Sequence, residues 1–221
     1  PTDAYWIEAD TITDALTTHD ESSGDFTDTE VDSSTVLLLH GEGEDASTTI
    51  IDSSPSHKTV TAKGNAQIDT AQKVLGSASI LFDGTDYVSL ADSDDWYFSG
   101  DFTIDFRIRF ASLPSASQYM HIMGQVESAS KRWYIYIYNN AGTYRLHYTA
   151  GDNSNTIAFN RSFSSLDVNT WYHLAITRAG SSFKLFVNGA QMSTEYTSSL
   201  FIVNISAQLW LGGVSGQTYL N

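Results

Sequence analysis

The chain has 221 residues, of which 41% are apolar and 13% aromatic, so it is long enough to bury a full hydrophobic core. It contains no cysteine, which excludes disulfides and thiolate chemistry, and none of its apolar runs approaches the roughly 18 residues of a membrane-spanning helix. The net charge of −15 disfavours nucleic-acid binding, because an acidic surface repels phosphate backbones.

The acidic charge is concentrated at the start of the chain. Residues 1–57 contain 14 Asp or Glu and no Lys or Arg, whereas residues 58–221 contain 12 acidic and 11 basic residues. Residues 1–34 are also poor in aliphatic side chains and therefore have little to bury. We interpret residues 1–34 as an extended, acidic Ser/Thr-rich arm, either a solvated tether between modules or a segment that becomes ordered on a partner subunit. Within it, residues 4–7 (AYWI) can pair as a short strand.

Regular strand patterns begin after this arm. Residues 36–40 (VLLLH) form a continuous apolar run that ends at a glycine, which is typical of a strand buried on both faces. Residues 79–90 predict two strands around the turn Asp83-Gly84. Residues 104–110 alternate apolar with polar side chains and are the clearest amphipathic strand of the chain.

The second half of the chain continues the pattern. Residues 133–148 predict a long hairpin, and residues 171–189 predict another that ends in the tight turn Asn188-Gly189. Turn signals recur about every 8–12 residues, and no helical stripe is present. The sequence therefore predicts an all-β fold, an antiparallel two-sheet jelly-roll sandwich over residues 35–221, preceded by the acidic arm.

Five of these segments, in order, resemble the laminin-G-like branch of the concanavalin A-like lectin and glucanase jelly rolls. The segments are LLLH at 37–40, ILFDG with YV at 80–88, DFTIDFRIRF at 101–110, the stretch 171–189, and LWLGG at 209–213. The resemblance covers about residues 36–221. The LLLH start is also similar to modules in bacteriophage tail and fibre proteins.

The resemblance predicts one strand that this sequence does not contain. In such modules a further strand follows the LWLGG segment and returns to the sheet beside the first strand. The chain reaches Asn221 where that strand is expected to begin. We therefore expect the last strand to be supplied by residues beyond Asn221 or by another chain, because an unpaired sheet edge and an open core are costly.

The resemblance to glucanases does not extend to their catalytic residues. Those enzymes use a Glu-x-Asp-x-Glu strand whose alternate carboxylates act on the glycosidic bond. The matching strand here has Asp105 followed by Arg107 and Arg109, and a guanidinium cannot donate a proton near neutral pH. The acidic cluster Glu42, Glu44 and Asp45 lies in a Gly-rich loop rather than on a strand. We expect no enzymatic activity.

Calcium is the cofactor that the resemblance suggests, since family members often hold one Ca²⁺ at the rim of the sandwich. Ca²⁺ takes six to eight oxygen ligands, which loop carboxylates and backbone carbonyls provide. Asp45 and Asp52 are the candidate ligands. Because two serines and a proline follow Asp52, an ordinary Asx turn is the alternative for that residue. The six histidines never fall at metal-ligand spacing, so we expect no zinc site.

Aromatic side chains are the candidates for glycan binding, because flat rings can stack on the C–H faces of sugars. Trp96, Tyr119, Trp133 and Tyr136 lie near predicted loops or on possible solvent faces of strands, as does Tyr138. Strand alternation places Trp133 and Tyr136 on opposite faces of their strand. Packing in the core or against another subunit is the alternative for each of these rings.

Together these features predict a non-enzymatic structural or binding module of a phage tail or fibre, located on the virion surface or outside the cell. Its role would be assembly, recognition of host-surface glycans, or both. The expected partners are other virion or fibre subunits, including copies of this chain in a homo-oligomer. The alternative is a secreted bacterial adhesin or a carbohydrate-binding module attached to a larger protein.

Overall fold

The computed structural model describes residues 5–11, 31, 33–152, 154–201 and 204–213, and its regular structure consists of β-strands and one 3-10 turn at Asp94–Trp96. The strands, in chain order, are β1 (Tyr5–Thr11), β2 (Thr61–Lys63), β3 (Gln67–Asp69), β4 (Ser79–Phe82), β5 (Tyr87–Leu90), β6 (Phe102–Phe110), β7 (Tyr119–Val126), β8 (Arg132–Asn140), β9 (Thr143–Gly151), β10 (Thr156–Ser162), β11 (Trp171–Ala179), β12 (Ser182–Val187), β13 (Ala190–Gln191), β14 (Tyr196–Thr197) and β15 (Leu209–Leu211). No helix among these residues is long and apolar enough to cross a membrane.

The strands form two antiparallel sheets. One has eight strands in the order β13-β12-β11-β6-β1-β4-β3, with β14 also paired with β12. The other has seven strands in the order β10-β9-β8-β7-β15-β5-β2. Many neighbouring strands are distant in sequence, so the chain crosses repeatedly between the two sheets, as it does in a jelly roll. The all-β, antiparallel two-sheet sandwich expected from the sequence is confirmed.

The core lies between the two sheets and results from strand alternation. In β6 every second side chain is buried, beginning with Phe102 and ending with Phe110, and the side chains between them are half-buried on the outer surface. The facing sheet contributes Ile135, Ile137 and Leu146, which are fully buried. Burying one such side chain stabilises the fold by about 1.5–3 kcal/mol. The amphipathic strand predicted at residues 104–110 is therefore confirmed.

The apolar run at residues 36–40 is buried, but it is not a strand. Leu37, Leu38 and Leu39 all belong to the buried interior. The Leu38 N–H donates to Asp52 Oδ1 at 3.0 Å, and the Leu38 carbonyl accepts from the Ser53 N–H at 2.8 Å. The prediction of a strand is wrong here, because a loop carboxylate satisfies the backbone amide that a neighbouring strand would have paired.

The tight turn predicted at Asn188-Gly189 is present between β12 and β13. Both residues have positive φ, 50° for Asn188 and 77° for Gly189, as a type I′ turn requires. Val187 pairs with Ala190 across the turn. The Asn188 side chain also accepts from the His173 N–H at 2.8 Å, which ties the turn to β11.

The first strand lies in the middle of the eight-stranded sheet. β1 is antiparallel to β4 on one side and to β6 on the other, so that Ile7 is opposite both Ile80 and Ile108. The short strand predicted near residues 4–7 therefore belongs to the sandwich and joins two parts of one sheet. The tether predicted for the rest of the arm falls largely on residues 12–30, which lie outside the described residues. Residues 214–221, which precede the strand expected from Asn221 onward, also lie outside the described residues.

Candidate binding face

The outer surface of β7, β8 and β9 carries a continuous group of aromatic, histidine and arginine side chains, which we call the aromatic face. Its members are Tyr119, His121, Arg132, Tyr134, Tyr136, Tyr138, Arg145 and His147. These residues point outward because successive strand side chains alternate between the two faces of a sheet. Ile135 and Ile137 point into the core, and the even-numbered residues of β8 therefore lie on the opposite surface.

The register of the three strands brings these side chains together. Tyr136 is directly opposite His121 on β7 and His147 on β9. Tyr138 is opposite Tyr119 and Arg145 in the same way. Residues directly opposite one another on neighbouring strands have Cβ atoms about 4.5–5.5 Å apart, which is close enough for their rings to touch.

Ring contacts extend across all three strands. Tyr119 stacks on Tyr138 with the ring centroids 4.8 Å apart and the planes inclined by 26°. Tyr136 stacks on His147 at 4.6 Å and 17°, and it meets Tyr119 edge-to-face at 5.6 Å. Tyr119 is 47% exposed, so one side of this array is open to solvent. The arrangement offers a ring that a flat apolar ligand surface can cover.

A glycine separates the aromatic face from two further rings on the same surface. Gly124 of β7 lies between Trp210 on one neighbouring strand and Tyr134 on the other. A Cβ atom at Gly124 would collide with the carbonyl oxygen of Trp133, so the close approach of β7 and β8 requires glycine here. Trp210 packs on Tyr87 with the centroids 4.2 Å apart, and the aromatic surface thus continues across the sheet.

The seven-stranded sheet contains no Asp or Glu in any of its described strands, although the whole chain has 26 acidic residues against 11 Lys and Arg. Its strands carry four basic residues, Lys63, Arg132, Arg145 and Arg161. Arg161 donates to the carbonyl of Thr194, but within the described part of the chain neither Arg132 nor Arg145 has an ion pair or a hydrogen bond. The aromatic face is therefore locally positive on an acidic molecule.

Burial favours the uncharged forms of the two histidine rings and of the Tyr136 phenol. Burial, together with repulsion from Arg132, lowers the pKa of His121 to about 4. Burial and the neighbouring Arg145 lower the pKa of His147 to about 4 as well. Burial also raises the pKa of the Tyr136 phenol above its usual range. The positive charge of the face therefore comes from its arginines alone.

Of the four aromatic candidates from the sequence, Tyr119 and Tyr136 come together on this face, whereas the two tryptophans do not. Trp96 is 1% exposed and Trp133 is 3% exposed, so neither presents a ring surface to a ligand. Trp96 packs inward from its 3-10 turn and donates its indole N–H to the Ala91 carbonyl at 3.1 Å. Trp133 is one of the odd-numbered residues of β8, whose side chains point into the core. The two tryptophans are therefore core residues, and their assignment to a glycan site is corrected.

His121 and His147 are members of the face that the sequence analysis did not single out. Their rings contact Tyr136 from the two neighbouring strands, with centroids 5.4 Å away for His121 and 4.6 Å away for His147. The signal available in the sequence was the hairpin pairing of residues 133–148, which places His147 opposite Tyr136. His121 comes from a separate strand, and its position follows only from the register of β7 with β8.

The two candidate calcium ligands, Asp45 and Asp52, both accept hydrogen bonds from the protein itself. Both Asp52 carboxylate oxygens already accept hydrogen bonds, from the N–H groups of Leu38, Ser54 and Lys58 and from the Ser54 hydroxyl, at 2.7–3.0 Å. Asp52 is 2% exposed and therefore acts as a buried turn residue. Asp45 is exposed and accepts from the Thr70 N–H and hydroxyl, which lower the pKa of its carboxyl. Among the described residues, no three His, Cys, Asp or Glu side chains form a cluster that could hold a metal ion.

The strand that matches the catalytic strand of glucanases lies in the other sheet, on the outer surface of β6. Asp105 is 3.3 Å from His173 Nε2, measured to its Oδ2 atom. Arg107 and Arg109 occupy the next two outward positions of the strand. This surface is on the opposite side of the sandwich from the aromatic face, so no carboxylate of β6 lies beside the tyrosines.

Comparison with known families and structures gives one family and a set of similar folds. The Laminin_G_3 model, described as the concanavalin A-like lectin/glucanases superfamily, matches residues 82–221. Domain 4 of AbnA, a GH43 extracellular arabinanase from Geobacillus stearothermophilus solved with arabinotriose, has a TM-score of 0.55 and 15% identity over 79% of this chain and 81% of that one. The similarity of this domain is one of fold. A search of curated protein sequences finds no match.

Two other solved structures give weaker matches. The enzymatically active domain of tailspike protein 2 from bacteriophage CBA120 has a TM-score of 0.42 and 13% identity, covering 57% of this chain and 20% of that one. The carbohydrate-binding module CBM66 from Bacillus subtilis has a TM-score of 0.28 and 14% identity, covering 56% of this chain and 88% of that one.

Proposed function

Because the chain belongs to the concanavalin A-like lectin/glucanase superfamily, we propose that it is a non-catalytic carbohydrate-binding module whose ligand lies on the aromatic face. The observation that carries this proposal is the outward array of Tyr119, Tyr136 and Tyr138, three rings in contact on one sheet surface. The exposed ring of Tyr119 supplies a flat apolar surface for the C–H face of a sugar. The phenol groups of the array can hydrogen-bond to sugar hydroxyls.

The absence of catalysis is part of the proposal and rests on the charges of this surface. Hydrolysis of a glycosidic bond by the usual route needs two carboxyl groups, about 5–5.5 Å apart in retaining enzymes and about 6.5–9.5 Å apart in inverting ones. The described strands beneath the aromatic face contain no carboxyl group. A glycan bound across β7, β8 and β9 therefore meets rings, histidines and arginines, none of which is a carboxylic acid.

The setting that we propose is a phage tail or fibre protein on the virion surface, where the module would act in assembly with other subunits and in attachment to host glycans. The support is the LLLH start of residues 37–40, which resembles modules in such proteins. The alternative setting is a secreted bacterial adhesin or a binding module of a larger extracellular protein. Both settings use the same face and the same kind of ligand.

The proposal is tested by a glycan-array screen followed by titration of the best ligand into two variants. Tyr119→Ala removes the exposed ring of the face, and Tyr97→Ala removes a tyrosine that is 38% exposed elsewhere on the molecule. We expect Tyr119→Ala to weaken binding about tenfold, which corresponds to roughly 1.4 kcal/mol, and Tyr97→Ala to leave it unchanged. Equal affinities for the wild type and Tyr119→Ala, or a chain that binds no glycan, would contradict the proposal.

A further inference from the structure

We propose that the ligand of the aromatic face is an anionic glycan, held by Arg132 and Arg145 in addition to the tyrosines; this inference rests on the proposed glycan-binding function. The chemistry that these residues recognise is an oxyanion on a sugar ring, either the carboxylate of a uronic acid or a sulfate ester. A guanidinium binds such groups through two parallel hydrogen bonds as well as through its charge.

The positions of the two arginines suit an extended ligand. Arg132 is at the start of β8 and Tyr138 is six residues further along the same strand, which corresponds to about 20 Å. Arg145 is opposite Tyr138 on β9. Along β8, Tyr136 lies between the levels of the two arginines, Tyr138 is level with Arg145, and the buried ring of Tyr134 lies under Arg132. A glycan chain that follows β8 would meet a positive charge at each end, with the rings of Tyr136 and Tyr138 along the way.

Neither of the two arginines has an anionic partner among the described residues, in contrast to two lysines of the molecule. Lys58 is 2.6 Å from Asp95, and Lys131 is 3.0 Å from Glu127. Arg132 lies over the Tyr134 ring, 5.3 Å from its centroid, and Arg145 has a buried Nε atom with no acceptor in the same part of the chain. A half-buried guanidinium without an anion has lost part of its hydration without compensation. An oxyanion of a ligand would supply the missing acceptor.

The charge of the rest of the molecule makes this site selective. A chain with a net charge of −15 repels polyanions at long range, so a polyanion will bind only where the local charge is reversed. The seven-stranded sheet provides such a region, because its described strands carry basic residues and no acidic ones. Arg107 and Arg109 on the outer surface of β6 are another pair of arginines among the described strands, but that surface also carries the carboxylate of Asp105.

The test compares charged and neutral forms of the same polymers. The probes are polygalacturonate and its methyl ester, which carries the same backbone without the charge, and dextran sulfate with unmodified dextran. Each is titrated into the wild type, Arg132→Gln, Arg145→Gln and the control Lys184→Gln, which removes a charge from the opposite sheet. We expect each arginine variant to bind the charged polymer at least fivefold more weakly, Lys184→Gln to bind it as the wild type does, and neutralising the polymer to cost at least tenfold.

The results separate this inference from the function on which it rests. A preference for polygalacturonate identifies the carboxylate as the ligand group, and a preference for dextran sulfate identifies the sulfate ester. If the neutral polymers bind as tightly as the charged ones, or if the arginine variants bind unchanged while Tyr119→Ala still weakens binding, the face takes a neutral glycan and the inference is overturned. If no array glycan binds in a manner sensitive to Tyr119→Ala, the proposed function itself fails.

Discussion

At the scale of single residues, Asp86 carries the most unusual carboxyl group of the described structure. It is fully buried in the turn between β4 and β5, where its Oδ1 accepts from the Asp83 N–H at 2.6 Å. Its Oδ2 has no hydrogen-bond partner in the described structure. Burial raises the pKa of Asp86 to about 6, from an ordinary value of 3.8. The folded protein therefore retains a proton that the unfolded chain releases near pH 4.

This shift predicts a pH dependence of stability that a single substitution removes. Because the folded state binds more protons than the unfolded state between pH 4 and pH 6, the contribution of Asp86 to stability falls as the pH rises through that range. Asp86→Asn keeps an acceptor for the Asp83 N–H and cannot ionise. We expect the variant to gain about 2 kcal/mol over the wild type on going from pH 4.5 to pH 7.5, measured by urea unfolding. A stability difference between variant and wild type that is the same at both pH values would contradict this assignment.

At the scale of elements, the turn after β12 offers a clean measure of backbone strain. A Cβ at Gly189 or at Gly100 would meet no atom within 4 Å, but Gly189 has a φ of +77° and Gly100 lies outside the left-handed region. We expect Gly189→Ala to lower the free energy of unfolding by about 1 kcal/mol, because an L-residue is strained at positive φ. Gly100→Ala is the matched control and should be neutral or slightly stabilising. Equal effects in thermal unfolding would show that the turn is not held at positive φ.

A larger loss of stability is predicted for removal of the first strand. β1 pairs with β4 and β6, and no other described strand connects those two, so deleting residues 1–11 would divide the eight-stranded sheet. We expect the shortened chain to melt at least about 10 °C lower, since the backbone pairing of β1 with both of its neighbours is lost. A synthetic peptide of residues 1–11 should restore most of the loss, and a peptide of the same composition in scrambled order should not. An unchanged melting temperature after the deletion would mean that β1 does not stabilise the sheet.

Many of these strands and turns can be predicted from the sequence, because the alternation of side chains in a strand and the residue preferences of a turn depend on residues that are close in sequence. The alternation in β6 and β8 and the Asn188-Gly189 turn depend on neighbouring residues alone. The burial of Trp96 could not be predicted in this way. Trp96 lies in a single 3-10 turn, and no periodic pattern in the sequence indicates which way its side chain points. The run at residues 36–40 has the composition of a strand, yet its backbone amide finds the carboxylate of Asp52, a contact that sequence spacing does not indicate.

The aromatic face was predictable only in part, for the same reason. The hairpin of β8 and β9 places Tyr136 opposite His147, and both strands are adjacent in sequence. The third strand, β7, contributes Tyr119 and His121 in a register that includes an irregularity near residue 122. Register between strands is set by packing across the whole sheet. The sequence can therefore identify Tyr119 as a candidate binding residue, but it cannot predict that Tyr119 stacks on Tyr138.

At the scale of the whole molecule, charged residues are unevenly distributed both along the sequence and over the surface of the fold. The sequence has its acidic residues near the start, with 14 of them in residues 1–57. The fold then gathers seven described strands without any carboxylate into one sheet, although these strands are spread from residue 61 to residue 211. This separation leaves one face of an acidic protein open to ring stacking and to negatively charged groups.

The central claim is that the outer surface of β7, β8 and β9 binds the ligand, and hydrogen–deuterium exchange tests it most directly. Exchange is measured on the intact chain with and without the glycan selected on the array. We predict slower exchange in peptides that cover residues 119–126, 132–140 and 143–151, with β6, β11 and β12 unchanged. Protection confined to the outer surface of β6 and β11, or to the loops around Asp45 and Asp52, would contradict the account and place the ligand elsewhere.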